Sequence, residues 1–307
     1  SQGLLIADEC HRYSARGFRA SLLPDYGSRL GLTATFARSD GGHLEVLEPY
    51  FGGVVYRLGY VRARADGVIA PFHVVLHGVS LDARSRHDYD EAAAIAAHCR
   101  GQLVGRFGVP AEPFDAFMRA VHSLRLWDHG EPGKVAGRFL WAFDRYRTVL
   151  AETPAKLEAL ADLAGGLRRA RGTLVFTQSI ASSKAVEQRL NGLGIRTSAV
   201  HSELDHDERR VVLHRFGRKQ IDALVAPRVL DEGIDVPYAD TAVVIAASRT
   251  RRQMVQRMGR VLRPKADGRT ANFTLLYGRN TREDPATGAH ETFLDEVTQV
   301  AERMDTR

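Results

Sequence analysis

Five short strand-patterned runs lie in the back half of the chain: Thr173 to Thr177, Arg196 to Val200, Asp222 to Ala226, Thr241 to Ile245 and Ala271 to Tyr277. Helix-patterned segments near Ser182 to Leu193, Asp205 to Phe216 and Arg251 to Leu262 are interleaved with them. Strands joined through helices return parallel to one another, so the helices must cover both faces of the sheet. The pattern predicts an α/β domain with a parallel sheet, beginning near Ala155. A chain of 307 residues has room for a second domain as well, and 44% hydrophobic with 26% charged residues is globular composition.

The front of the chain carries the sharpest local signal. Leu4, Leu5, Ile6 and Ala7 form an apolar run that ends in two adjacent carboxylates, Asp8 and Glu9, then Cys10 and His11. A buried parallel strand of this kind delivers its last residues to the carboxyl edge of a sheet, where α/β folds bind ligands. This is the layout of a Walker B site. There the first carboxylate holds Mg²⁺, usually through water, and the second orients or deprotonates the water that attacks a γ-phosphate. Two neighbouring acids alone are commonly just solvated loop residues, so the reading depends on the segments downstream.

Between these two ends the pattern changes twice. Arg29 to Thr33 is expected to be a strand ending at Thr33-Ala34-Thr35, and Val54 to Leu58 and Phe72 to Val79 are β-rich runs. From about Asp88 to Leu150 the spacing is helical, with Phe114, Phe117, Met118, Val121 and Leu124 on one face and Phe139, Phe143 and Tyr146 on another. Pro110, Pro113 and Gly130-Glu131-Pro132-Gly133 should break it into pieces. Those apolar faces are better explained as the core of a small helical insert than as a base-stacking surface. The expected division is 1–87 for the end of a first α/β domain, 88–150 for the insert, 151–280 for a second α/β domain and 281–307 for a tail.

Four further segments line up behind the acids. Leu30 to Thr35 puts hydroxyls at a strand end, and Leu174 to Thr177 opens the second domain in the same way. Val229 to Pro237 combines a strand with a turn that holds Gly233, for close backbone approach, and Asp235. Gln256, Gly259, Arg260 and Arg263 fall three to four residues apart, on one face of a helix. Two guanidiniums presented together suit a phosphoryl-transfer transition state. Taken singly, each segment is an ordinary strand end or a solvated basic helix.

In this order and spacing the five segments resemble superfamily 2 helicases, and most closely the XPB-like DNA helicases. The resemblance implies two RecA-like domains, the first present here only in its C-terminal part, a helical insert in the position of a DNA-gripping thumb, and a complete second domain. It implies that Asp8, Glu9 and His11 form motif II, with Asp8 as the metal-binding residue. Thr33, Thr35 and Phe36 fall in motif III, and Phe176 and Thr177 in motif IV. Asp231 to Pro237 matches motif V, so Gly233 and Asp235 join Gln256 and Gly259 on the nucleotide side. Gln256 to Arg263 matches motif VI, with Arg260 and Arg263 as the catalytic arginines. Arg38-Ser39-Asp40 occupies the place of an Arg-Glu-Asp element used in strand separation, and Ser39 departs from it. Thr33, Thr35, Arg38, Asp40, Phe176 and Thr177 are thereby expected to couple nucleotide to DNA.

The implied cofactors are ATP and Mg²⁺, and the implied partner is DNA, with a nuclease or another repair protein as a further candidate. A formal net charge of +6 is compatible with a polyanionic partner. A phosphate-binding loop G-x-x-x-x-G-K-[ST] is not found in these residues, and Gly133-Lys134 is followed by Val135. A Walker B strand needs such a loop. The expectation is therefore that on the order of a hundred residues of the first domain lie upstream. No apolar run approaches the roughly 20 residues of a membrane span. Two cysteines, Cys10 and Cys99, fit a reducing compartment, so a cytoplasmic protein is expected. The motor of a restriction or phage-defence system would use the same motifs, and a non-catalytic DNA-binding module is the alternative of a different class.

Overall fold

The computed structural model describes residues 3–34, 36, 41–227, 238–245, 259, 261–265, 267–289 and 291–307. They fall into two compact units, one made of residues 1–57 and 92–144 and the other of 58–91 and 145–307.

In the first unit, strand β1 (Gly3–Ala7) pairs in parallel with β2 (Tyr26–Gly31). The connection between them contains a 3₁₀ turn (Cys10–Ser14) and the short helix α1 (Arg16–Arg19). A second short helix, α2 (Glu48–Phe51), comes after β2. Residues 54–58, expected to be β, form no strand, and Val55 is 88% exposed. β-branched composition stabilises a strand only where a neighbouring strand and a packed face are supplied.

After α3 (Tyr60–Ala65), the helical insert is built from α4 (Ala83–Gly105), α5 (Phe114–Trp127) and α6 (Glu131–Glu152), so it starts earlier and ends later than its periodicity suggests. Pro132 does not break α6 but sits in its first turn, where its missing N–H is no loss. The aromatic face packs inward: Phe117 and Val121 are fully buried, and the Phe117 and Phe139 rings meet edge to face at 5.1 Å. These residues form a core, as their spacing implied.

The second unit is organised by a seven-stranded parallel sheet of order β5-β6-β4-β7-β8-β3-β9. Its strands are β3 (Phe72–Val79), β4 (Thr173–Thr177), β5 (Thr197–Ala199), β6 (Ala223–Pro227), β7 (Thr241–Val244), β8 (Ala271–Gly278) and β9 (Arg303–Thr306). Alternate residues divide between two faces, and both faces are apolar. Leu174, Phe176, Leu224, Val244, Phe273 and Leu275 enter one core cluster, with Phe216 of helix α9 (His206–Gly217) and with Val261 and Leu262. Val175, Val225, Val243 and Leu276 enter the other, against α7 (Pro154–Arg169) and α8 (Ile180–Gly192). A sheet buried on both sides reads as continuous apolar runs, and that is why these strands were legible. The order of elements, the parallel pairing and the helices on both faces match the RecA-like α/β architecture expected from the motifs.

Two elements lie where local pattern did not put them. β3, expected with the first α/β part, runs between β8 and β9 in the larger sheet, with Phe72 opposite Ala271 and Val79 opposite Gly278. The segment expected to be a tail supplies the helix Glu291–Thr298 and the edge strand β9. Periodicity reports that a residue is in a strand and which face it shows, but not which strand it will pair with.

His77 of β3 is nearly buried, and its Nε2 lies 3.6 Å from Asp162, which is largely exposed. Burial lowers its pKa, and Arg307 and Arg279 lower it further against the opposing pull of Asp162. A histidine that is neutral when folded binds more protons when unfolded. Stability should therefore be complete above the unfolded value of about 6.5 and fall as pH drops below it. Denaturant midpoints between pH 8 and pH 5 should show this slope, and His77→Gln should flatten it.

Candidate functional site

The carboxyl end of β1 turns sharply. Asp8 is exposed, and its Oδ1 accepts the Glu9 N–H at 2.8 Å. Glu9 takes φ 48° and ψ 45°, a left-handed conformation that costs a side-chain-bearing residue about 1–2 kcal/mol. The turn is closed by two backbone bonds that join the ends of β1 and β2, Leu32 N–H to Ala7 O and Cys10 N–H to Leu32 O, both 2.9 Å.

This turn brings three polar groups together. Buried His11 presents Nδ1 to Thr33 Oγ1 at 2.9 Å and to Glu9 Oε2 at 3.2 Å. One ring nitrogen thus faces a hydroxyl and a carboxylate. With Nδ1 protonated, it donates to Thr33 Oγ1, and a charged ring also attracts Glu9 Oε2; with Nδ1 bare, the Thr33 O–H donates to it and the attraction to Glu9 is lost. The hydrogen-bonding state of Thr33 and the charge environment of Glu9 are therefore physically linked through one imidazole.

Cys10 plays no part in this chemistry. Burial, and then the Glu9 carboxylate, push its thiol above the ordinary value, so it stays protonated and packs. It packs against Gly31, where an added Cβ would lie 3.1 Å from the Cys10 Sγ and 3.3 Å from the Phe51 ring. That contact leaves little room for a side chain at Gly31. The motifs do not mark this residue, although a Gly inside a strand pattern just before Thr33 is a local signal of close approach.

Asp8 and Glu9 fit Mg²⁺ on donor chemistry. No group of three or more His, Cys, Asp or Glu side chains that could hold a metal occurs among the described residues. An exposed carboxylate beside a second one suits an ion that keeps waters and arrives on phosphates, as Mg²⁺ does, rather than one caged by protein.

In the second unit the structure separates the expected residues by role. Phe176 and Thr177 are both fully buried. Phe176 belongs to the sheet core, and Thr177 Oγ1 lies 2.6 Å from Ser183 Oγ. Neither side chain presents a surface to a ligand. Thr177 fixes the start of α8, which Ser179 caps by accepting the Ser182 N–H while the Ser182 hydroxyl accepts the Ser179 N–H. The Ser179-x-x-Ser182 spacing is a readable capping signal that lies outside the helicase motifs. Gly259 is exposed, and a Cβ there would meet no atom of the described residues within 4 Å. Arg263 is exposed beside the buried pair Val261 and Leu262. Thr35, Arg38, Asp40, Gly233, Asp235, Gln256 and Arg260 lie outside the described residues.

Comparison with known proteins agrees with these motifs. Residues 155–265 match the family model described as the helicase conserved C-terminal domain. A protein of Sulfurisphaera tokodaii named DNA 3'-5' translocase XPB2 is 31% identical over 264 residues, which cover 85% of this chain and 56% of that protein. The DNA 3'-5' helicase XPB of Mycobacterium tuberculosis is 27% identical, over 96% of this chain and 44% of its own length. That of Kineococcus radiotolerans is 26% identical, over 96% and 43%. The chain thus spans about half the length of the curated relatives it matches. Among solved structures, S. cerevisiae Dbp5 bound to RNA and ADP BeF3 aligns over 99% of this chain and 59% of its own, with a TM-score of 0.58 at 14% identity, a likeness of fold. On its matched domain, its XPB-named relatives and its RecA-like fold, the chain belongs with the XPB-like superfamily 2 helicases.

Proposed function

We propose that the complete polypeptide is an ATP- and Mg²⁺-dependent DNA translocase or helicase that moves 3′ to 5′ and serves DNA repair. On this reading, residues 1–307 carry its hydrolysis carboxylates, its transition-state arginines and part of its DNA track. The observation that supports it most is the turn after β1, where exposed Asp8 and strained Glu9 stand beside a histidine shared with Thr33. A left-handed Glu at a strand end is a cost that a structural turn would avoid with Gly. The names of the XPB relatives supply the polarity and the DNA substrate.

Each residue then has a physical task. Asp8 would hold Mg²⁺, through water, and the ion supplies charge neutralisation of the phosphate oxygens. Glu9 orients the attacking water and takes its proton. His11 holds the Glu9 carboxylate in place and reports its state to Thr33. Arg260 and Arg263 stabilise the charge that develops in the transition state. Phe176 and Thr177 act indirectly, Phe176 by filling the sheet core and Thr177 by setting the start of α8, rather than by touching DNA themselves.

Three outcomes are expected. In the complete polypeptide, Arg263→Ala should lower DNA-stimulated phosphate release by roughly 10³-fold or more, with nucleotide affinity changing far less. Turnover within a factor of a few of wild type would remove Arg263 from the chemistry. Thr33→Val removes the hydroxyl that faces His11 at nearly constant size and should cost about 1 kcal/mol of stability. The fold-stimulation of turnover by DNA should fall about tenfold, a coupling loss of ~1.4 kcal/mol, while DNA-independent turnover stays put. Finally, residues 1–307 contain no G-x-x-x-x-G-K-[ST]. This polypeptide alone should release phosphate no faster than its Glu9→Gln variant, with DNA present.

A further inference from the structure

Arg263 is exposed, yet the chain is fixed on both sides of it. Before it, Val261 and Leu262 are buried in the sheet core, and Leu262 O accepts the Ala70 N–H at 2.7 Å. After it comes Pro264, whose ring disfavours helical geometry for the residue that precedes it. Lys265 follows, half-buried, and its Nζ donates to Ala239 O at 2.6 Å. The Lys265 carbonyl accepts the Gly268 N–H at 2.9 Å, a tight turn in which Gly268 takes φ 66°.

The floor that Lys265 is attached to is itself rigid. Ala239 and Asp240 lead into β7, and both are buried. The Asp240 N–H donates to Gly172 O at 3.1 Å, and Asp240 O accepts the Asn272 N–H at 2.8 Å, which ties this floor to the starts of β4 and β8. Its acceptors are divided between two cations of the loop. The Ala239 carbonyl takes Lys265, and the Asp240 carboxylate takes Arg269 Nη1 at 2.9 Å.

Stability is a weak reason for placing a lysine there. Holding its ammonium on a carbonyl costs desolvation and side-chain freedom, and an apolar side chain of similar length would avoid the first cost. What the hydrogen bond adds is a fixed direction. Burial lowers the Lys265 pKa, and Arg263 and Arg269 lower it further against the pull of Asp240 and Asp267. The charges of Lys265 and Arg263 therefore act on each other, besides being joined through Pro264.

We propose that Lys265 is a positioning residue for Arg263. Its bond to Ala239 anchors the backbone just after Arg263, as the Leu262 bond to Ala70 anchors it just before, and the two together set the place from which Arg263 acts. The proposal rests on the reading of Arg263 as a transition-state arginine given above. Lys265 touches no nucleotide; it acts through Arg263. Catalysis of phosphoryl transfer is almost entirely positioning and electrostatics, and a misplacement of about 1 Å can cost about 10²-fold in rate.

The test is a double-mutant cycle in the complete polypeptide, with Lys265→Met, Arg263→Ala and the two combined. Lys265→Met should fold and should lower kcat for DNA-stimulated ATP hydrolysis about tenfold, with KM for ATP within about threefold. In the Arg263→Ala background the same change should lower the remaining turnover less than about twofold, because the residue it positions is gone. Lys265→Arg, which restores a cationic donor, should recover most of kcat. Hydrogen exchange over residues 261–270 should quicken about tenfold in Lys265→Met, while β5 and β6 keep their protection. Equal losses in the two backgrounds, a folded Lys265→Met with wild-type kcat, or unchanged exchange over 261–270 would each overturn the proposal. If Lys265→Met does not fold, Lys265→Gln enters the same cycle under the same criteria. Failure of both to fold overturns the proposal too, since Lys265 would then hold the domain and not the arginine. Wild-type kcat in Arg263→Ala would instead remove the reading of Arg263, and the exchange comparison then decides alone whether Lys265 fixes this loop.

Discussion

Parallel pairing buried on both faces is the constraint on which the second unit depends. In β4, β6, β7 and β8 successive residues point into two different apolar clusters, and the backbone groups between them are committed to ladder bonds. Apart from Asn272 near the start of β8, which is exposed, the side chains in the middle of these strands are buried and face neither water nor a ligand. Polar function is thereby confined to the strand ends, and the carboxyl ends are where the polar side chains collect. Thr177 ends β4, Ile245 sits just past β7 with its carbonyl on Lys156, and Gly278 ends β8 with its amide on Glu283. In the first unit Asp8 likewise comes directly after β1, although that strand is not buried on both faces: Leu4 and Ile6 are exposed.

Within that rule the two units treat their polar ends differently. At β1 the chain accepts a left-handed Glu9 and a close Cys10–Gly31 approach, and the result is an exposed carboxylate with a second one held by His11. At the end of β4 the hydroxyls turn inward: buried Thr177, Ser182 and Ser183, with half-buried Ser179, bond one another and the first turn of α8. The first arrangement leaves charge available for chemistry. The second uses hydroxyls to build a rigid corner, which is what a buried polar group must do to avoid the cost of an unmade bond.

How much of this could be read from the sequence depends on the range of each interaction. The strands β4, β6, β7 and β8 and the helices α8 and α9 were legible to within a few residues, because apolar runs and caps are local signals. The acids of the β1 turn were legible for the same reason. The place of β3 between β8 and β9 was not, since it depends on residues about 200 positions away. Strand β9 was hidden by its composition, Arg303-Met304-Asp305-Thr306, which is that of an edge strand with little to bury. Lys156 and Glu283 are separated by 127 positions and look like an ordinary helix cation and an ordinary loop acid until the fold removes both from water.

Membership of a motif and contact with a ligand are separate properties, and the described residues divide along that line. Asp8, Gly259 and Arg263 are exposed, whereas His11, Phe176 and Thr177 are buried. The exposed ones are open to a ligand from solvent, so chemistry at the surface is what a substitution would remove. The buried ones can act only by holding a neighbour, so what a substitution removes is a geometry. Lys156 and Glu283 extend the second class beyond the motifs. A fully buried ammonium with a carbonyl on one side and a carboxylate on the other ties the end of β7 to the loop after β8, at the point where the strand ladder stops.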